Sequence, residues 1–216
     1  MTATRSFPGN RLPVPRSIGG HFFYRTQSPP LDPKDVALVG KAAAHEGLRS
    51  SMYDNGQVEL PRLSAFSKEA AEALERVSEN TLNFLKERGF SVEESELSLV
   101  ACRWAAPHTD PAWRGMAFYS TVLHTGPYEY MMVTMGSSVR KERVRFCTSE
   151  NRLGVGQSFL FDACTPHTAA PLNPHEESFL VLLQVELNDH TVEERRTLIA
   201  ALPKMEGTSD TSGSYE

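Results

Sequence analysis

Cysteine is scarce in this chain: Cys102, Cys147 and Cys164 are the only three in 216 residues. Three widely spaced thiols make neither a disulfide framework nor a CxxC metal pattern, so a reducing compartment is expected. Long apolar runs are also missing. Nowhere do about 18 consecutive apolar residues follow one another, and the first residues lack the 7–15-residue apolar core of an export signal, so the expectation is a cytoplasmic protein with no membrane partner. Positive charge is in deficit as well, with 22 Lys and Arg against 27 Asp and Glu and a formal net charge of −5. The densest basic cluster is the short run Arg140, Lys141, Arg143 and Arg145. That leaves no electrostatic footprint for nucleic acid and favours a small-molecule partner.

What is present fits one domain of ordinary size. Residues 1–31 are rich in proline and glycine and read as an extended arm lying on a domain that spans residues 32–204. Asp32 and Pro33 form a capping residue and a first-turn proline, opening a short helix that Gly47 is expected to stop. Ser67 opens a second helix, in which Leu74, Val77, Leu82 and Leu85 recur at helical spacing before Gly89, so its apolar stripe needs a sheet to lean on. From Leu97 onward the pattern becomes short apolar runs divided by turn residues, at 97–104, 116–124, 128–135, 139–147, 157–162 and 178–187. A last helix is expected over 191–202, with Thr191 and Glu194 as a capping box, and residues 205–216 read as a disordered polar tail. Helices followed by a strand series predict a mainly β domain with flanking helices: a small barrel or jelly roll.

The chemistry concentrates at two points of the strand region. In Pro107-His108-Thr109-Asp110, residues two apart on an extended segment point to one side, so an imidazole and a carboxylate can hold one ion together. Fifty-nine residues later, just past the apolar run Phe159-Leu160-Phe161, stands His167. Either signal alone is weak, because a His-x-Asp pair is commonly a surface turn and a single histidine after a strand is commonly structural. Together, His108, Asp110 and His167 supply two imidazoles and one carboxylate. On one face of an octahedral ion that set leaves three open positions, which Fe(II) uses for a bidentate co-substrate and O2. Of the other histidines only His124, at the end of a strand, merits watching.

These residues resemble a family. Ser98-Leu99-Val100-Ala101-Cys102-Arg103-Trp104, His108-Thr109-Asp110, Arg114 leading into 116–123, and 156–162 with His167 are similar to the core of the prolyl-hydroxylase-like branch of the 2-oxoglutarate/Fe(II) dioxygenases, over roughly residues 95–187. The resemblance implies a double-stranded β-helix of cupin-like form, iron at its mouth, and oxidation of a substrate coupled to decarboxylation of 2-oxoglutarate to succinate and CO2. Asp110 argues against the related halogenases, in which a small residue replaces the carboxylate.

One departure concerns the co-substrate. In the family an arginine about ten residues after the distal histidine pairs with the far carboxylate of 2-oxoglutarate. Here that stretch reads Pro174-His175-Glu176-Glu177-Ser178. Arg103, where the resembling proteins place a tyrosine touching the same carboxylate, is the first substitute, and Arg143 and Arg145 follow. Tyr119 and Thr121, of one parity on the strand after the metal motif, are candidates to hydrogen-bond a bound carboxylate or carbonyl. The missing arginine also supports a second reading, a cupin-like Fe(II) dioxygenase or isomerase that uses no 2-oxoglutarate. A third is a non-catalytic binding module, against which the intact triad speaks.

Overall fold

A computed structural model of the chain describes residues 23–49, 57–59, 66–110, 117–127, 129–140, 143–162, 165–173 and 179–187. Among the described residues the α-helices are α1 (Pro33–Arg49) and α2 (Lys68–Lys86). At the start of α1 the Asp32 carboxylate accepts the Lys34 N–H at 2.8 Å, which satisfies one of the helix's orphan donors. Gly47 is not the stop the sequence suggested, since α1 runs on to Arg49. Any side chain at Gly47 would collide with the Phe179 ring, so this glycine serves close packing. In α2 the Ser67 hydroxyl caps the Ala70 N–H at 3.3 Å, and Gly89 follows the helix at φ 87°, a conformation glycine adopts freely.

The described residues form ten strands along the chain: β1 (Phe23–Thr26), β2 (Gln57–Glu59), β3 (Leu97–Cys102), β4 (Ala105–His108), β5 (Ala117–His124), β6 (Tyr130–Arg140), β7 (Arg143–Leu153), β8 (Ser158–Asp162), β9 (His167–Pro171) and β10 (Leu180–Leu187). They form a six-stranded sheet in the order β1-β8-β5-β10-β3-β2 and a four-stranded sheet in the order β4-β9-β6-β7. Every pairing is antiparallel. From β3 to β10 the chain passes back and forth between the two sheets. That is the eight-stranded jelly roll of a double-stranded β-helix, widened at its edges by β1 and β2.

Strand alternation sorts side chains into layers. Phe118, Val122, Phe159, Phe161, Leu180, Leu182 and Cys102 of the larger sheet face Tyr130, Met132, Leu153, Ala105 and Ala169 of the smaller one. The opposite face of the larger sheet is covered by the helices. Leu74 and Val77 join Ala101, Leu123, Val181 and Leu183, while Leu82 and Leu85 join Tyr119, Leu160 and Val185. The apolar stripe expected on α2 is therefore buried as the spacing required.

The strand series departs from the sequence reading in two ways. The run 139–147 is not one strand but straddles a hairpin, with β6 ending at Arg140 and β7 beginning at Arg143. β7 then continues through the polar Thr148-Ser149-Glu150-Asn151-Arg152, because a sheet edge with one solvent face tolerates polar residues. The strands β4 and β9 are too short to give an apolar run of their own, and part of the extended arm forms β1 along β8. The expected helix 191–202, the tail 205–216 and the first 22 residues lie outside the described residues.

Candidate metal centre

His108 closes β4 and His167 opens β9, and these neighbouring strands pair them directly, His108 opposite His167. The Thr168 hydroxyl, which donates to the Ala105 carbonyl at 2.5 Å, ties the same two strands together. The imidazole centroids are 4.3 Å apart. Asp110, two residues past His108, turns its carboxylate between the rings, with Oδ1 3.7 Å from His108 Nε2 and Oδ2 3.6 Å from His167 Nε2. Among the described residues this is the one group of three side chains whose possible ligand atoms lie within 4.8 Å of one another. Ligands held at right angles about 2.1 Å from an ion stand roughly 3 Å apart, so small rotations of these side chains bring all three onto one ion.

The environment prepares the nitrogens. His167 Nδ1 lies 2.8 Å from the Thr165 carbonyl, which can only accept, so the proton sits on Nδ1 and the Nε2 lone pair faces Asp110. Burial holds the His167 pKa below the usual histidine value, and the neighbouring His108 adds to the shift, against the opposing pull of the Thr165 carbonyl and Asp110. A neutral imidazole is the form a metal needs. Phe161 packs edge-on against His167 at 4.9 Å and walls it from the core side. The His108 and Asp110 side chains each keep 27% of their surface exposed, against 6% for His167, so the site is open on one flank. A donor set of two neutral imidazoles and one carboxylate suits a divalent first-row ion with free positions.

The residues expected to touch a bound carboxylate divide differently. Tyr119 and Thr121 lie on the helix-facing side of the larger sheet and not in the space beside the triad. The Tyr119 hydroxyl donates to the Gln27 carbonyl at 3.0 Å, its ring packs with Leu82 and Leu85, and burial pushes its pKa up to about 12. Thr121 shares a 2.8 Å hydrogen bond with Ser158. Parity correctly put these two on one face, but the inward face of β5 carries Phe118, Ser120 and Val122 instead. Leu97, Leu99 and Ala101 likewise pack toward the helices, so Arg103 gains no inward direction from sharing their parity. It stands just beyond the end of β3, where its carbonyl accepts a 2.8 Å hydrogen bond from the buried Tyr130 hydroxyl. Its positive charge acts on that phenol, pulling the pKa down against burial, the larger influence, which raises it.

Arg145 lies on the edge strand β7 opposite Ser138, four residues along β6 from Thr134, the partner of His167. The side chains of Arg143, Arg145 and Asp162, together with Trp113, Arg114, Cys164, Glu176 and Glu177, are outside the described set. Trp104 is 53% exposed and adjoins the end of β4 away from His108. His124 sits against α1 near Gly40 and Lys41, not with the triad. At the start of β10, the inward positions near the expected arginine are Leu180 and Leu182.

Sequence reasoning passed over Thr134 and Ser120, both fully buried. Thr134 is paired with His167 across β6 and β9. The strand pairing that singles it out joins residues 33 positions apart, and no local pattern carries that information.

No protein-family model matches the sequence, and no curated protein does. Among solved structures, AviO1 from Streptomyces viridochromogenes superposes with a TM-score of 0.49 at 14% identity, over 78% of this chain and 90% of that one. A Pseudomonas putida prolyl-4-hydroxylase gives 0.47 at 12% identity, over 78% and 94%. The non-heme alpha ketoglutarate dependent epimerase SnoN from nogalamycin biosynthesis gives 0.47 at 15%, over 77% and 78%.

Proposed function

We propose that this chain is a non-haem Fe(II) oxygenase that oxidises a small-molecule substrate in the cytoplasm, coupled to decarboxylation of 2-oxoglutarate, with neither nucleic acid nor membrane as partner. The observation that carries this reading is the convergence of His108, Asp110 and His167, with the His167 tautomer fixed by a backbone carbonyl. In it, His108, Asp110 and His167 hold the metal. Bound Fe(II) would supply the redox chemistry that couples reduction of O2 to oxidation of both 2-oxoglutarate and an unactivated C–H bond of the substrate. The protein's own residues hold, orient and shield. Asp110 offers one oxygen toward each imidazole, and Thr165 keeps the His167 lone pair aimed at the ion. Phe161 excludes water from the inner side, and the exposed flank beside His108 and Asp110 admits substrate. Arg103 is the cation assigned to the far carboxylate of 2-oxoglutarate, since a buried carboxylate without a partner costs several kcal/mol.

Leu180 and Leu182 favour a second reading. Hydrocarbon at the inward start of β10 suits a metal enzyme that takes its substrate directly on the ion and uses no 2-oxoglutarate.

Anaerobic titration with Fe(II), with and without 2-oxoglutarate, separates the two. A weak visible charge-transfer band on adding the 2-oxo acid is the expected result; bound iron with no band gives the second reading the lead. His108→Ala, Asp110→Ala and His167→Ala should each abolish stoichiometric Fe(II) binding while His124→Ala does not. Iron bound by His167→Ala as tightly as by the parent would refute the triad. Arg103→Leu should weaken 2-oxoglutarate tenfold or more, the loss of a charge-assisted hydrogen bond of about 1.5–3 kcal/mol, with Fe(II) affinity nearly unchanged.

A further inference from the structure

Strands β6 and β7 run on past the rest of their sheet. β9 pairs with β6 only from Tyr130 to Thr134, where Thr134 stands opposite His167, whereas β6 and β7 stay paired out to Arg140 and Arg143. Residues 135–140 and 143–148 are thus a two-stranded ribbon that continues beyond the end of the sheet at which His108 and His167 stand. Period two divides this ribbon into two faces. Tyr130, Met132 and Leu153 belong to the inter-sheet layer. Their face continues through Gly136, Ser138 and Arg140 on β6 and through Cys147, Arg145 and Arg143 on β7. The reverse face carries Met135, Ser137 and Val139 with Thr148, Phe146 and Val144. Polarity is therefore inverted relative to the sheet from which the ribbon grows: the inner face turns basic and the outer one apolar. Arg140 is directly opposite Arg143, with Arg145 two residues along on the same face. Like charges so placed destabilise a strand pair. The sequence here holds Arg140, Lys141, Arg143 and Arg145 against one acid, Glu142, in a chain of net charge −5. Glu150 of β7 belongs to the reverse face, opposite Val133. Three arginines gathered on one face call for an anion that offsets their repulsion.

We propose that the arginine face of the β6–β7 ribbon binds a phosphate or diphosphate ester at one end of the substrate, whose other end is oxidised at the metal centre. The inference rests on the proposed oxygenase function and deepens it by naming the substrate class. At about 3.4 Å per residue, Arg145, opposite Ser138, stands roughly 14 Å along the ribbon from the pair Thr134 and His167, and Arg140 and Arg143 stand roughly 20 Å from it. A five-carbon diacid chelated at the triad is shorter than either distance, so these arginines serve the substrate and not the co-substrate. Guanidinium forks match phosphate oxygens two at a time, and three cations exceed what one carboxylate requires. The net negative charge of the rest of the chain repels long polyanions, which leaves a small phosphorylated molecule as the partner. Arg140, Arg143 and Arg145 select and orient it and take no part in the oxidation.

The probe is inorganic pyrophosphate, titrated calorimetrically into the metal-free full chain, with acetate as the carboxylate control. The variants are Arg143→Gln, Arg145→Gln, the two combined, and Arg145→Lys, which keeps the charge and loses the fork. Arg152→Gln removes one positive charge from the same strand outside the ribbon. The parent should bind pyrophosphate and not acetate. Each glutamine should weaken pyrophosphate by about tenfold, Arg145→Lys by less, and Arg152→Gln not at all. Fe(II) affinity and the visible band with 2-oxoglutarate should be the same in every variant. A parent that binds no pyrophosphate, or a combined variant that binds it as the parent does, makes this inference wrong and leaves the oxygenase reading standing. Acetate bound as tightly as pyrophosphate would overturn the phosphate class. Loss of the 2-oxoglutarate band in Arg145→Gln would make the ribbon a co-substrate anchor and overturn the inference too. A parent that never gives the band overturns the 2-oxoglutarate reading and the substrate role of the ribbon with it, whatever the arginine variants show.

Discussion

The two sheets of this jelly roll are built to different rules. The six-stranded sheet is covered on both faces, by the smaller sheet and by α1 and α2, and its central strands read as nearly continuous buried runs, with seven of eight residues of β5 and six of eight of β10 buried. The four-stranded sheet has one face inside, and β9 shows the alternation that follows, with His167 and Ala169 buried and Thr168 and Ala170 more open. His108 and His167 stand at the ends of strands of the second sheet. Burial is thus concentrated in one layer while the candidate metal triad stands in the other, an arrangement that would let those side chains change without disturbing the principal core.

That division can be broken most directly by cutting into each sheet. Leu183 is fully buried between its strand partners Leu99 and Thr121, under the helices. Leu183→Ala should cost about 2–5 kcal/mol in urea unfolding, through lost burial and the cavity left behind. On the smaller sheet, Val133 of β6 is partly exposed and paired with Thr168, and Val133→Ala should cost less than about 1 kcal/mol. Equal losses would mean that stability is shared evenly and the comparison is false.

A smaller effect tests how α1 is seated. Gly40 lies in α1 against the Leu123 backbone, and a Cβ there would overlap the Leu123 carbonyl oxygen. In an open helix Gly→Ala gains roughly 1 kcal/mol. Here the sign should reverse, with Gly40→Ala destabilising by about 1–3 kcal/mol, because a strand backbone cannot move aside as a side-chain tip can. A stabilised Gly40→Ala protein would show that α1 is not held tightly on the larger sheet.

How much of this was legible in the residues depended on the range of the pattern. The stripe Leu74, Val77, Leu82 and Leu85 fixed both a helix and its buried face, because all its information lies within six turns of chain. His108, Asp110 and His167 could be singled out by residue type and strand context, but their direct pairing across β4 and β9 joins residues 59 apart and has no local trace. Tyr119 and Thr121 show the limit most clearly. Period two established that they share a face, yet in a sheet buried on both sides hydrophobicity does not say which face is inner, and the inner one belonged to Ser120. The break between β6 and β7 has no mark in the sequence because Arg140, which ends one strand, and Arg143, which begins the next, are both charged, so composition does not change across it.

Acidity should separate the sheets by a still smaller margin. Burial lowers the pKa of His167 in the smaller sheet, and burial and Lys41 lower that of His124 in the larger. A histidine whose folded pKa lies below its unfolded value of about 6.5 binds more protons when unfolded, so stability rises with pH up to that value and is lost as pH falls through it. Melting temperatures of the metal-free protein should therefore fall below about pH 6.5. His167→Gln, at the more buried position, should remove more of that slope than His124→Gln. A flat profile in the parent would contradict both assignments.

The smallest effect belongs to the tether between the helices. Arg76 of α2 donates two hydrogen bonds to Asp35 of α1, at 2.9 and 2.7 Å, and this pairing holds the Asp35 carboxyl below the usual range. The Arg76 side chain is 53% exposed, so water and salt compete for the pair. A depressed carboxylate pKa contributes stability above about pH 4 that is lost as pH falls through the folded value. Asp35→Asn at neutral pH should lower the melting temperature by no more than about 2 °C, and the difference should shrink in 1 M salt as charges are screened over roughly 3 Å. If α1 stays on the larger sheet through Val36, Val39, Ala43 and Ala44, little depends on this pair. A loss as large as that of Leu183→Ala would show instead that the ion pair, and not apolar contact, holds the helical layer on the sheet.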